Sequence, residues 1–584
     1  MRIEYIDIVN FRGISKARVF LNGHSVLIGD NNAGKSTIFE AIDLVLGPDR
    51  LNRIPVVDEH DFHNGNYYDE SGNCPKIEIE VLIIDLEDSQ LTKFKNNLEF
   101  YDTESLSILP EGKIKNVDDE NVIPGLRVKF IGSYNPEDDD FEGETFFCSP
   151  QREDETLTRF SKGDKRECGF LYLRALRTGA RALSMERGSL LDIILRIKDV
   201  RPKMWEAVLD QLRKTPVATD SEAGISDILE GIQKALKEFV PSDWGSQPHL
   251  RVSDLTREHL RKTLTIFMST GKGEYSAPFQ HQGTGTINTM VLALLSMIAE
   301  TKQNVIFAME EPEIAIPPYT QKRIIDSIRK KSTQAIFTSH SPFVLEEFPP
   351  SQIILIQRDD EGVVKSQAVE LPSTIKPKTY NAEFRLRFAE ALLAKRILLT
   401  EGTTEAIAYS AAGRRLNELK PTIYSSLEEN GVAIFDARSE TEIPNYGKYF
   451  ENLGKVVFAV FDKQKPDALK KINENVKYPY ESQHKGFEDL LIEEMDQDIL
   501  KQYYELLITE NNWPSHLSKA SNRNNIDEVK TVLKKYLEGK KTDKDSSELI
   551  GMCKKTKQVP ETIRNVLKSI KAELEKPNTE NTVE

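Results

Sequence analysis

The chain has 584 residues, a formal charge of −15 at pH 7, 39% apolar and 29% charged residues, the composition of a folded protein of several domains and not of a disordered one. The acidic sum excludes a protein that coats nucleic acid with uniform positive charge, while leaving room for a local basic groove. Four cysteines (Cys74, Cys148, Cys168, Cys553) stand far apart with no C-x-x-C pair, which excludes a disulfide framework or a thiolate zinc site and points to a reducing compartment.

The first residues, MRIEYIDIVNFRG, lack the apolar core of a signal peptide, and no window reaches 18 apolar residues; a soluble, cytoplasmic protein without a membrane partner is expected. Ile3, Tyr5, Ile8, Val19 and Leu21 alternate with polar residues and predict antiparallel strands. Val26-Leu27-Ile28 is a short buried-strand pattern, followed by a glycine-containing loop and a helical run from Ser36 to Leu46. Residues 77–84 and 126–131 predict further strands, with the acidic runs Asp118-Asp119-Glu120 and Asp138-Asp139-Asp140 as solvated loops beside them. From Leu183 to Arg261 the period becomes helical, as in Ile225, Ile228, Leu229, Ile232, Leu236 and Phe239. Strand patterns return at 304–309, 334–338 and 352–356, and Leu371 to Thr379 has the composition of a linker. A second α/β alternation follows, with strands at 396–400, 432–435 and 455–461 and a helix over 404–416. The last 80 or so residues are helical and lysine-rich; Lys534 to Lys571 holds 11 basic and 5 acidic residues, a weak but local signal for DNA contact.

Gly29-Asp30-Asn31-Asn32-Ala33-Gly34-Lys35-Ser36 fits G-x-x-x-x-G-K-[ST] between a strand and a helix. In such a loop the backbone N–H groups of Asn31 to Lys35, with Ser36 and Thr37 opening the helix, cradle the phosphates of ATP. Lys35 reaches the β- and γ-phosphates, and the Ser36 hydroxyl ligates Mg²⁺. A partner strand, Val305 to Met309, ends in Glu310 and Glu311. Glu310 is placed in the Mg²⁺ sphere and Glu311 on the lytic water. Lys35 and Glu311 are 276 residues apart, with the helical insertion between them.

That split architecture resembles the ATP-binding-cassette heads of the SMC and RecF group. Asn10-Phe11-Arg12-Gly13 resembles the N-F-R-G opening of those heads, which implies a nucleotide contact for Arg12. Gln282-Gly283-Thr284-Gly285-Thr286 sits where the group keeps its signature loop, which implies that Gly283 and Gly285 complete the ATP site of a second head. Glu311-Pro312-Glu313 resembles the E-P-E of the group, and Thr338-Ser339-His340-Ser341-Pro342 its T-H-S-P segment, with His340 as γ-phosphate sensor. Pro317 stands where many relatives have His. The resemblance implies a homodimer through the heads, with a tetramer as a larger assembly.

Glu401-Gly402-Thr403-Thr404-Glu405 ends one strand and opens a helix, and Asp462 ends another strand 61 residues on. Acids at strand ends suit oxygen coordination of Mg²⁺ or Mn²⁺. E-G-x-x-E with a downstream strand-end Asp resembles a Toprim domain. The usual D-x-D is incomplete, since Lys463 and Gln464 follow Asp462. Asp436, Asp467 or the Glu488-Asp489 pair are candidates for the lacking acid, and the resemblance implies Glu488 as a metal ligand and Lys557 as the late catalytic lysine.

A split head followed by Toprim resembles the OLD (overcoming lysogenization defect) family of nucleases, to whose Y-L-x-A-x-R segment Tyr172-Leu173-Arg174-Ala175-Leu176-Arg177 is similar. The order of parts is that of the OLD proteins of anti-phage systems such as Gabija and of the retron nucleases. The expected fold class is α/β, with a P-loop ATPase head over 1–182 and 262–370, a helical dimerisation insertion over 183–261, a linker over 371–380 and a Toprim nuclease domain over 381–584. The expected function is an ATP-regulated, divalent-metal-dependent DNA endonuclease of anti-phage defence. Its cofactors are ATP and Mg²⁺ or Mn²⁺; its partners are DNA, a second copy, and a co-encoded helicase or a reverse transcriptase with its DNA. The rival readings are a RecF-like repair ATPase with a degenerate Toprim domain, and a topoisomerase or primase, for which no tyrosine or template module is seen.

Overall fold

The computed structural model describes residues 1–48, 55–69, 71–109, 121–150, 157–173, 183–185, 189–198, 201–214, 230, 232–235, 256–269, 276–301, 305–314, 317–372, 375, 380, 385–540 and 543–575. These fall into two compact units, Met1–Val369 and Glu370–Glu584.

The first unit begins with strands β1 (Arg2–Phe11), β2 (Ile14–Phe20) and β3 (Ser25–Ile28), then helix α1 (Lys35–Leu46). β4 (Ile77–Ile84), β5 (Leu98–Asp102), β6 (Ser107–Leu109), β7 (Val122–Asn135), β8 (Asp140–Phe147) and β9 (Phe170–Leu173) follow. β10 (Phe267–Ser269) and β11 (Ser276–Pro278) form a separate hairpin. Helix α2 (Thr284–Thr301), β12 (Ile306–Glu310), helix α3 (Pro318–Lys331), β13 (Gln334–Thr338), β14 (Ile353–Arg358) and β15 (Val363–Ala368) complete it. Twelve strands run in the order β6-β5-β7-β4-β1-β2-β15-β14-β3-β13-β12-β9, and β8 pairs with β7. The antiparallel half, β1 with β2 and β4 and β4 with β7, reflects the alternation of its sequence. The parallel half, β14-β3-β13-β12-β9, is buried on both faces, which is why Val26, Leu27 and Ile28 are apolar without alternation. Each of these side chains contributes about 1.5–3 kcal/mol by burial.

Several elements extend beyond the sequence expectation. The strand expected at 126–131 is the middle of β7, a long strand that continues to a tight turn and returns as β8. Asp138 and Asp139 occupy that turn, and Tyr134 Oη and Asn135 Nδ2 donate to their carboxylates at 2.8 and 2.9 Å. The short strands β5 and β6, at one end of the sheet, lack the alternation that marks a half-buried strand. Within 183–261 the described residues hold helices Leu190–Ile197, Arg201–Lys214 and Arg257–Thr263, and Trp205 with Leu209 and Leu260 forms a small core. Of the periodic run cited above, Ile232 is exposed, and Ile225, Ile228, Leu229, Leu236 and Phe239 lie outside the described residues. So do Asp118 to Glu120, Arg174 to Arg177 and most of the expected linker.

The second unit has four parallel strands, β16 (Arg396–Thr400), β17 (Val432–Asp436), β18 (Val456–Phe461) and β19 (Tyr478–Glu481), in the order β17-β16-β18-β19. Helix α4 (Thr403–Leu419) follows β16, α5 (Phe487–Glu494) follows β19, and the chain ends its described part with α6 (Glu561–Glu575). Leu398, Phe458 and Val460 of the sheet share a core with Tyr409 and Leu416 of α4 and with the C-terminal helices. Tyr503 Oη (2.5 Å) and Tyr536 Oη (3.0 Å) donate to the buried Asp545, which satisfies its charge inside that core. The basic C-terminal region is partly neutralised: Lys530 pairs with Glu493 at 3.2 Å, Lys544 with Glu548 at 3.0 Å, and Lys534 with Asp489. Among the described residues no helix is long and apolar enough to cross a membrane.

Candidate nucleotide site and acidic cleft

The nucleotide loop runs from the end of β3 into α1. Gly29 and Gly34 take φ of +150° and +94°, and a Cβ at Gly29 would stand 2.2 Å from the Ile356 carbonyl oxygen of β14. Glycine is therefore required at both ends of the loop. Asn31 and Asn32 are exposed, Ala33 is buried, and Ser36 is exposed in the first turn of α1, with Thr37 half-buried beside it. Lys35 is buried, and its Nζ donates to the carbonyls of Gly29 and Asp30 at 2.8 Å each. Burial lowers its pKa, against the opposing pull of Asp30 and Glu311.

β12 lies two strands from β3, with β13 between them, so Glu310 pairs in register with Thr338. Tyr172 of β9, which packs edge-on against Phe39 of α1, donates to Glu310 Oε1 at 2.8 Å. Glu311 has a left-handed backbone, φ +43°, pinned by its N–H donating to the Thr338 carbonyl at 2.9 Å. A strained acidic residue at a strand end is a frequent mark of a working site. His340 is exposed; burial of its ring environment, then the charge of Lys35, lowers its pKa against the pull of Glu311 and Asp30. Lys35, Glu311 and His340 thus sense one another across three strands. Gly283 is exposed just before α2, with Gly285 in that helix's first turn.

Arg12 is otherwise engaged. Its Nε donates to Asp61 at 2.7 Å and its guanidinium pairs with Glu40 of α1. Asn10, also left-handed, accepts from the His63 N–H at 3.1 Å. The N-F-R-G turn therefore staples the 58–66 loop to α1, and Arg12 and Gly13 line a cleft with Asp58, His60, Asp61 and Asn64.

In the second unit the acids gather at the carboxyl ends of the parallel strands, the usual place for an α/β site. Glu401 follows β16, at the centre of the sheet, and its Oε2 accepts from the Asp462 N–H at 3.0 Å. Gly402 has an extended backbone that any residue adopts, and a Cβ there would lie 2.9 Å from Glu405 Oε2, so a side chain at this position would displace that carboxylate. Glu405, in the first turn of α4, is pushed up to about 7 by burial and then by Glu401, Glu488 and Asp436. Asp462 is likewise pushed up to about 7, by burial first and then by Glu401, Glu405, Glu488 and Asp489. Glu488 opens α5 half-buried. Residues 401 to 488 thus supply four carboxylates to one cleft. Of the other candidates, Asp436 is paired with Arg387 at 3.2 Å and accepts from the Arg438 N–H, and Asp467 is exposed on a separate helix. Lys557 lies exposed in a short turn before α6.

Two site residues escaped sequence reasoning. Glu440, in the loop after β17, is hydrogen-bonded to the Glu401 side chain, and with burial it raises the Glu401 pKa. No motif marks it; only the parallel pairing of β16 with β17 brings that loop beside Glu401. Tyr172 lay in the Y-L-x-A-x-R segment but without an assigned role. Gln464, at the second position of the usual D-x-D, folds back to donate from Nε2 to the Asp462 carbonyl at 3.0 Å, while its N–H donates to Glu481 at 2.8 Å.

The donors of the cleft are all carboxylate oxygens, which suit a hard divalent cation and not zinc. Burial, and after it their like charge, raises the pKa of Glu401, Glu405 and Asp462, and a bound cation would relieve both. Among the described residues no three acids, imidazoles or thiols already stand as a ready-made coordination set.

Comparison with known proteins agrees with both units. The AAA-domain family described with the AbiEii toxin of a type IV TA system matches residues 25–346, over half of the chain. The TOPRIM domain of overcoming-lysogenization-defect-like proteins matches residues 392–463. The chain is 20% identical over 455 residues to the Old nuclease of Escherichia phage P2, covering 72% of each chain. It is 24% identical over 428 residues to the OLD nuclease of Thermus scotoductus, covering 70% of this chain and 72% of that one. It is 21% identical over 439 residues to the endonuclease GajA of Bacillus cereus, covering 72% of this chain and 68% of that one. The chain belongs to the AAA-domain family whose model matches over half of it. Its first unit carries the AAA-type P-loop ATPase head and its second unit the TOPRIM fold. Among solved structures, an SMC head bound to the C-terminal winged-helix domain of ScpA aligns with 64% of this chain and all of that one, at 13% identity and a TM-score of 0.35.

Proposed function

We propose that this protein is an OLD-type, divalent-metal-dependent DNA endonuclease whose cutting is gated by ATP at paired heads. The observation that carries the reading is the convergence of Glu401, Glu405, Asp462 and Glu488 at the carboxyl edge of the TOPRIM sheet, two of them pushed up to about 7. The names of the relatives support it: two are called OLD nucleases and one an endonuclease. Mg²⁺ or Mn²⁺ held there supplies the activation of water and the neutralisation of charge on a scissile phosphate. Glu401 and Asp462 hold the ion; Glu405 and Glu488 complete the negative field; Lys557, on its exposed turn with Lys554 and Lys555, meets the DNA backbone. In the head, Asn31 to Thr37 hold the phosphates, Lys35 and His340 sense the γ-phosphate, and Glu310 carries the ion that Tyr172 helps to aim. Glu311 orients the lytic water. Arg12 joins the nucleotide only by leaving Glu40 or Asp61. Gly283 and Gly285 of a second copy close the site, which makes the working form a homodimer or a dimer of dimers. An anti-phage effector in the cytoplasm, working with a helicase or a reverse transcriptase and its DNA, is the setting the family resemblance favours.

A specific observation favours a second reading. Gln464 occupies the place of an acid and is engaged with main chain, as it would be in a degenerate, RecF-like protein that binds DNA without cutting. Supercoiled plasmid incubated with Mn²⁺ or Mg²⁺, with and without ATP, decides between them. Nicking or linearisation by the wild type and none by Glu401→Ala is expected; intact plasmid in every condition establishes the non-nucleolytic reading.

A further inference from the structure

A closed ring of hydrogen bonds through Glu313, Ser339, Ser341 and Gln321 ties the turn after the hydrolytic acid to the segment of the phosphate sensor, and none of these four residues has been given a role above. Glu313 Oε1 accepts from Ser339 Oγ at 3.0 Å and from the His340 N–H at 2.8 Å. Ser339 Oγ in turn accepts from the Ser341 N–H at 3.0 Å. Ser341 Oγ donates to Gln321 Oε1 of α3 at 2.8 Å, and Gln321 Nε2 returns to the Glu313 carbonyl at 3.5 Å. Ser339, Ser341 and Gln321 are buried. Glu313 Oε2 is also buried and finds no hydrogen-bond partner among the described residues.

That arrangement is costly for a purely structural link. A buried carboxylate oxygen without a partner forfeits hydration, and burial raises the Glu313 pKa although Ser339 and His340 oppose it. Only a side-chain oxygen at the reach of Glu or Gln can accept from the Ser339 hydroxyl and the His340 N–H together, and so fix that main chain from across the turn. His340 is held by its own N–H, and Glu313 lies two residues from Glu311, whose left-handed backbone is anchored on Thr338. The turn 311–313 and the segment 338–341 are thus fastened at both ends.

We infer that Glu313 is the positioning residue that holds His340 and Glu311 at a fixed separation across the γ-phosphate, with Gln321 tying that pair to the start of α3. The inference rests on the reading of the head as an ATPase, and it concerns the turnover step and not ATP binding.

The test is steady-state ATP hydrolysis by the full chain, with ATP affinity measured separately by a fluorescent analogue. Glu313→Ala is expected to lower kcat about tenfold or more, as loss of alignment does, with KM and analogue affinity within about threefold of wild type. Glu313→Gln, whose carbonyl oxygen still accepts both bonds, should recover most of kcat. Should Glu313→Ala fail to fold, Gln321→Ala opens the ring from its other side and should lower kcat with unchanged affinity. Wild-type kcat in Glu313→Ala, a loss confined to KM, or equal impairment of the Ala and Gln variants overturns the inference and leaves the ATPase reading standing. A wild type with no Lys35-dependent hydrolysis overturns both.

Discussion

The two sites of this chain solve opposite electrostatic problems. The head binds an anion, and its positive groups are satisfied before any ligand arrives: Lys35 by the carbonyls of Gly29 and Asp30, Arg12 by Glu40 and Asp61. The TOPRIM acids, proposed here as a cation site, are buried and face one another, so burial first and like charge second hold Glu405 and Asp462 at about 7 and raise Glu401 too. An anion site can be built from backbone N–H groups and a helix start, which carry no net charge. A cation site built from carboxylates concentrates like charge, and only protons or a metal ion relieve it.

The comparison breaks most sharply at its two central residues. Glu401→Ala should reduce DNA cleavage at least a thousandfold, since the ion loses its central ligand, while ATP turnover stays within about twofold of wild type. Cleavage at the wild-type rate would remove the cleft from the active site. Lys35→Ala should reduce ATP hydrolysis about a hundredfold or more by stripping charge from the transferred phosphate, with Mn²⁺ binding to the second unit, read by calorimetry, unaltered. A Lys35→Ala variant that hydrolyses ATP normally would dismiss the loop as a phosphate site.

The opposite electrostatics also predict opposite responses to pH. Carboxyls raised to about 7 are protonated below that value, and a cation must displace those protons. Mn²⁺ affinity should therefore strengthen between pH 6 and 8, by up to about tenfold per unit for each proton displaced. Titrations of constant affinity across that range would mean that the acids do not bind the ion. In the metal-free protein these groups contribute stability at low pH that is lost as pH rises through about 7, so unfolding of the TOPRIM unit should shift to lower temperature between pH 5 and 8.

The smallest effect lies in the head core. Lys165 is buried, donates to the Leu44 carbonyl at 2.7 Å, and burial lowers its pKa to about 7. A depressed folded pKa for a base means stability that is present above the unfolded value near 10.5 and lost as pH falls through about 7. Lys165→Met should thus stabilise the head by about 3 kcal/mol at pH 7 and by much less at pH 10, a difference that urea unfolding would resolve. A gain independent of pH would show that packing and not charge sets the cost.

Much of this was legible in the chain. Gly29 to Ser36 declared its loop by the spacing of its glycines, Lys35 and Ser36 between a strand and a helix. Glu401, Glu405 and Asp462 were legible as strand-end and first-turn positions, where chain direction alone aims a side chain at the carboxyl edge of a sheet. Glu440, Tyr172 and Gln321 were not, because each acts through a neighbour distant in sequence. Edge strands such as β6 and β19 were missed as well, since a half-exposed strand of three or four residues carries no period.

Local physics therefore determined the catalytic vocabulary of this protein: a phosphate-binding turn, acids at the ends of apolar strands, and a histidine after a buried strand. Each needs only a few adjacent residues of the right size and charge. Tertiary structure alone decided how those parts are wired. Arg12 is claimed by Glu40 and Asp61, Gln464 turns its amide to the main chain, and Glu313 reaches across 26 residues to hold Ser339. A hydrogen-bond partner is chosen by which strands lie side by side, and strand order is settled by the packing of the whole sheet.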